Sequence, residues 1–158
     1  MVRKYAPGFY WHVHHREVVE WCYSYEERLA YIRTNKPLYE IAIRKKLFQP
    51  VRGELPSVLV KAETVYDKSR SVYEKANIAW EKALAVYDSI DTAAYIEAGT
   101  ARSEAAAARQ KAFFALQEAG VAHMPALLAL HAEECGCNWT PERGIDFTQA
   151  AAEGGMMQ

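Results

Sequence analysis

No stretch of this sequence approaches the roughly 18 consecutive apolar residues that would read as a membrane span, and Arg3-Lys4 is not followed by an apolar segment of leader length, because Gly8, His12, His14, His15 and Arg16 interrupt it. The eight glycines are scattered rather than gathered into a phosphate-cradling loop ahead of a helix. There is no nucleophile elbow, and Cys22, although near His12 to His15 in sequence, has no orienting motif beside it. Cysteine is scarce: Cys22, Cys135 and Cys137 are an odd number, and the last two are too close for an ordinary disulfide. These absences point away from catalysis and membrane insertion, and toward a reduced, cytoplasmic setting.

Net charge is also nearly missing, with 19 basic against 20 acidic residues, so global charge selects neither nucleic acid nor a lipid surface. Its distribution is uneven. From Arg28 to Arg52 there are seven basic residues against the single Glu40, and from His123 onward five acidic residues against the single Arg143. Within the basic stretch, Arg33, Lys36, Arg44, Lys45, Lys46 and Arg52 are the candidates for contact with phosphate or an acidic partner, although such runs more often form a solvated face.

What is abundant is apolar residues, 51% of 158, enough for a core without staples and consistent with a single domain over 1–158. The aromatic, β-branched start suggests a short strand at Phe9 to His14. Ser24 with Glu27 has the spacing of a capping box, opening a helix that Lys36-Pro37 should stop. Residues 38–48 fit either a helix or a strand.

The most informative segment is an internal repeat. Residues 65–92 divide into VYDKSRS, VYEKANI, AWEKALA and VYDSIDT, so Tyr66, Tyr73, Trp80 and Tyr87 recur every seven residues, as do Val65, Val72, Ala79 and Val86. Alanines then fall at 94, 98, 101, 105, 108, 112, 115 and 119, in alternating steps of four and three. The spacing predicts an antiparallel coiled-coil hairpin over 57–119, large rings lying across small alanines, with Asp91-Thr92 as the connection and Gly120 as the stop. A shorter helix should start near Pro125 and end near Gly136, and the tail from Gly154 reads as frayed. The fold class is therefore mainly α: a long helical hairpin on a small helical or α+β base made from residues 5–56 and 121–147.

Two clusters could bind metal. On a strand, His12 and His14 would share one face. His131 and Cys135, four apart on the final helix, share another, with Cys137 just beyond it. Imidazoles and thiolates are zinc ligands, but the spacing lacks paired Cys-x2-Cys hooks, and buried cysteines commonly serve as small hydrophobes. The sequence demands no cofactor, and zinc is the one it could hold.

Three stretches, FYWHVHHREVVEWC, ERLAYIRTNKPLYEIAIRKKLFQPVRGELP and LHAEECGCNWTPERGIDF, resemble small accessory proteins of actinobacterial bacteriophages. The resemblance spares the hairpin. It implies a phage-encoded protein of the host cytoplasm and brings neither an enzyme activity nor an assigned site. The leading expectation is a non-enzymatic protein that binds another protein or itself. The alternatives are a zinc-dependent nucleic-acid binder or nuclease, using His12, His14, His131, Cys135 and Cys137, and a structural protein of a virion.

Overall fold

The computed structural model describes residues 6–85 and 92–148. Its contacts divide the chain into two compact units, one from the two ends of the chain (1–54 and 125–158) and one from residues 55–124. The Asp91 connection, the fourth heptad with Val86 and Tyr87, and the tail from Gly154 lie outside the described residues.

In the first unit, β1 (Gly8–Trp11) pairs antiparallel with β2 (Val19–Cys22), Gly8 opposite Cys22 and Trp11 opposite Val19. The other edge of β1 is also used, since Trp11 N–H donates to the Gln49 carbonyl and Val51 N–H to that of Phe9. The expected strand through His14 stops short, because His12 takes φ +53° and the chain turns back. Helix α1 (Tyr25–Asn35) begins as the capping spacing requires, the Ser24 hydroxyl accepting from Glu27 N–H at 3.3 Å. Residues 38–48 resolve in favour of helix: α2 spans Leu38–Leu47 and is braced by Arg44 on Glu40 one turn earlier. Tyr10, Val13, Cys22, Ile32 and Phe48 form the core, Tyr25 stacking on Phe48 at 4.8 Å.

The second unit is the expected helical hairpin, α3 (Ser57–Ala85) against α4 (Thr92–Ala122). Gly120 does not end α4. It keeps a negative φ, and the helical bonding runs on as His123 N–H donates to the Ala119 carbonyl. The final helix, α5 (Met124–Glu134), belongs to the first unit from Pro125 onward. Among the described residues no single helix is long and apolar enough to cross a membrane.

The seam follows the seven-residue period but differs in composition from the expectation. On α3, Tyr66, Tyr73 and Trp80 face inward with Ser69, Ala76 and Ala83, whereas Val65 and Val72 are exposed. On α4 only one of the two alanine rows is covered: Ala105, Ala112 and Ala119 are buried, while Ala101, Ala108 and Ala115 face solvent. The alternate seam places belong instead to Tyr95, Arg102, Arg109 and Leu116. The Arg102 guanidinium lies 4.4 Å from the Trp80 ring centroid and Arg109 lies 4.5 Å from that of Tyr73, so flat cations cover the rings. Arg102 also donates to Asn77 Oδ1 at 2.7 Å.

Burial of the small side chains is the testable part of this seam. Ala105→Glu, which forces a charge into close packing, should lower unfolding free energy by about 3 kcal/mol, whereas Ala107→Glu, two residues on and exposed, should stay within about 0.5 kcal/mol. Urea unfolding of both variants checks the difference.

Candidate metal centre

His12 stands just past β1, where the turn from strand to loop sets its backbone in the left-handed region, uncommon for a residue with a Cβ and costing of order 1 kcal/mol. The turn points the ring inward: His12 is 4% exposed, and its N–H still bonds the Val18 carbonyl. His131 lies in the last turn of α5 and is 6% exposed. Its carbonyl accepts from Cys135 N–H at 2.7 Å, so the chain leaves the helix with both sulfurs curled back toward the imidazole.

Four side chains converge there. Nε2 of His12 lies 2.9 Å from Nε2 of His131, the Cys137 sulfur lies 3.2 and 3.3 Å from those two nitrogens, and the Cys135 sulfur lies 3.6 Å from His12. All four donor atoms fall within 4.8 Å of one another. A tetrahedral zinc site with bonds of about 2.0 Å to nitrogen and 2.3 Å to sulfur has edges of roughly 3.3–3.8 Å. The cluster is within a few tenths of an ångström of that size on most edges, and these four residues could hold a metal such as zinc.

Electrostatics favours the same reading. The neighbouring Cys135 thiol and the two imidazoles hold Cys137 far below the usual thiol range, while Cys137 and burial drive Cys135 up. Nδ1 of His12, on the far side of its ring, is buried without a hydrogen-bond partner among the described residues.

The surroundings fix these donors in place. Trp11 packs edge-on against His131 at 5.2 Å, and Trp139 lies 6.1 and 6.4 Å from the two imidazoles, its indole N–H held by the Arg16 carbonyl. Gly144 brings the C-terminal segment against the turn after His12: its φ is +69°, and a Cβ there would meet the His15 carbonyl oxygen at 2.4 Å. Glu134 bridges the segments beside the cluster, accepting from the Trp11 indole at 3.0 Å and from the N–H groups of Arg52 and Gly53. Burial alone would raise its pKa, but these bonds and the Arg52 charge hold it below the usual carboxylate range.

His14 is not in the cluster. The strand that would have aligned it with His12 has already ended, and its Nδ1 instead lies 2.8 Å from Glu20, exposed. The basic candidates also separate: Arg44 is buried, paired with Glu40 and stacked on Phe147, while Arg33, Lys45, Lys46 and Arg52 are exposed and Lys36 lies near the Tyr31 ring. Sequence reasoning missed Glu134, Trp139 and Gly144, whose roles depend on contacts with segments more than 80 residues away. No protein-family profile, curated protein or solved structure matches this chain.

Glu134→Ala should cost about 2 kcal/mol, because it strands donors that it now satisfies. As a group with a lowered folded pKa, Glu134 contributes stability above the unfolded value of about 4.3, and the contribution disappears as pH falls through the folded value. The stability gap between the wild type and Glu134→Gln should therefore narrow between pH 6 and pH 3, as followed by denaturant unfolding.

Proposed function

We propose that this chain is a non-enzymatic interaction protein whose first unit is closed by one zinc ion held by His12, His131, Cys135 and Cys137, and whose helical hairpin is the interaction element. The observation carrying the metal reading is the meeting of four zinc-type donors from segments some 120 residues apart within 4.8 Å. Two nitrogens and two sulfurs as the donor set suit zinc better than a hard cation. Four protein ligands complete its coordination and leave no position for water or substrate, which is the pattern of structural rather than catalytic zinc. The nuclease alternative therefore loses its reacting centre, and the burial of Arg44 removes one of its phosphate contacts. The hairpin's seven-residue seam is of the kind that supercoils left-handed, and its mixed outer charge suits a soluble binding surface. The likeness of three stretches to phage accessory proteins supports an auxiliary role in the host cytoplasm.

Purified, untagged protein should contain about one zinc per chain, and chelation should lower its melting temperature by about 10 °C or more, since binding free energy at such sites is folding free energy. Cys137→Ser and His131→Ala should lose the metal, and His14→Ala should keep it. Metal-free protein with an unchanged melting curve, or loss of zinc in His14→Ala alone, would contradict the assignment.

A further inference from the structure

Residues immediately preceding the seam positions form a second stripe. In an antiparallel pair these residues on both helices fall on the same face. On α3 they are Val65, Val72 and Ala79; on α4 they are Ala101, Ala108 and Ala115; all are exposed. Register follows from Tyr66 beside Phe113 and from Arg102 on Asn77, which set Val65 level with Ala115, Val72 with Ala108 and Ala79 with Ala101. Those two contacts and the Trp80 ring beside Gly99 all lie on the seam or its other flank, leaving this side flat and aliphatic.

The margins of the stripe carry opposite charge. Two residues after Leu59 and after each of the seam rings Tyr66, Tyr73 and Trp80, α3 has Lys61, Lys68, Lys75 and Lys82, all exposed. At the matching places α4 has Glu97, Glu104, Lys111 and Glu118, also exposed. A lysine row thus borders one edge of the apolar strip and a mainly glutamate row the other. Two helices side by side present roughly 20 Å by 40 Å, or about 800 Å², which is the area each partner contributes to a stable complex of standard size.

We infer that this face pairs with the same face of a second copy of the chain, the two hairpins related by a two-fold axis parallel to their length. This rests on the interaction reading above and names its partner; it does not depend on the metal. That axis lays α3 of one copy over α4 of the other, bringing Lys75 to Glu104, Lys82 to Glu97 and Lys61 to Glu118, with Lys68 and Lys111 the one mismatched level. The alternative axis, across the hairpins, sets lysine row on lysine row and is disfavoured by charge. Small side chains on both surfaces let the four helices close as a bundle.

Sedimentation velocity of the zinc-loaded full chain, from 1 to 100 µM, tests the pairing. The wild type should reach twice the 17.9 kDa chain mass, and Ala107→Glu, outside the strip, should do the same. Lys75→Glu and Glu104→Lys should each weaken association at least tenfold with helicity unchanged by circular dichroism, and the double exchange should restore it. A wild type that stays monomeric at 100 µM, single variants that associate normally, or a double exchange that fails to rescue would overturn the pairing. A zinc-loaded monomer would sink this proposal and leave the metal reading standing, whereas a metal-free dimer would do the reverse.

Discussion

The N-terminal and C-terminal segments of the first unit meet where His12 approaches the end of α5. Two imidazole nitrogens 2.9 Å apart, with a sulfur close to both, are a repulsive grouping unless protons or a cation lie between them. The neighbouring Cys135 thiol and the two imidazoles hold Cys137 well below the usual thiol range. Closing a loop of about 120 residues costs chain entropy that grows only slowly with length, so a single strong junction can join the two ends of the sequence. The neighbouring contacts reinforce it: Glu134 ties Trp11 to the loop at Arg52 and Gly53, and Gly144 itself lies against the His15 backbone.

The hairpin solves a different problem. A seam of rings against rings would hold the helices apart, and rings against alanine alone would leave their faces thinly covered. The observed solution mixes buried alanines at 105, 112 and 119 with arginines at 102 and 109 whose guanidinium planes lie over Trp80 and Tyr73. Arginine suits this position because its stem buries apolar area while its head stacks on a ring and still donates outward, as Arg102 does to Asn77. The remaining small residues are left to the outer face.

Local chemistry was legible in the sequence, and long-range geometry was not. The Ser24 cap, the stop at Pro37, the two long helices and the start of α5 all follow from spacing and turn residues whose effects act within one or two turns of chain. The seven-residue period identified the seam stripe of α3, but an alanine ladder in steps of four and three supplies two equivalent rows, and only packing chose the one that is buried. For the candidate cluster, residue types gave His12, His131, Cys135 and Cys137, and strand alternation added His14, which lies on Glu20 instead. The left-handed turn at His12 breaks that alternation, and nothing in the sequence HVHH announces a positive φ. Reading 38–48 as helix needed the Glu40–Arg44 pair to be recognised as a brace across one turn rather than as surface charge.

The central claim is a metal-joined first unit, and X-ray absorption at the zinc edge of the purified protein tests it most directly. A first shell of two sulfurs near about 2.3 Å and two nitrogens near about 2.0 Å, reduced to fewer sulfurs in Cys137→Ser, is the result this account requires. A shell of oxygens, or no edge above background in protein that remains folded, would contradict it.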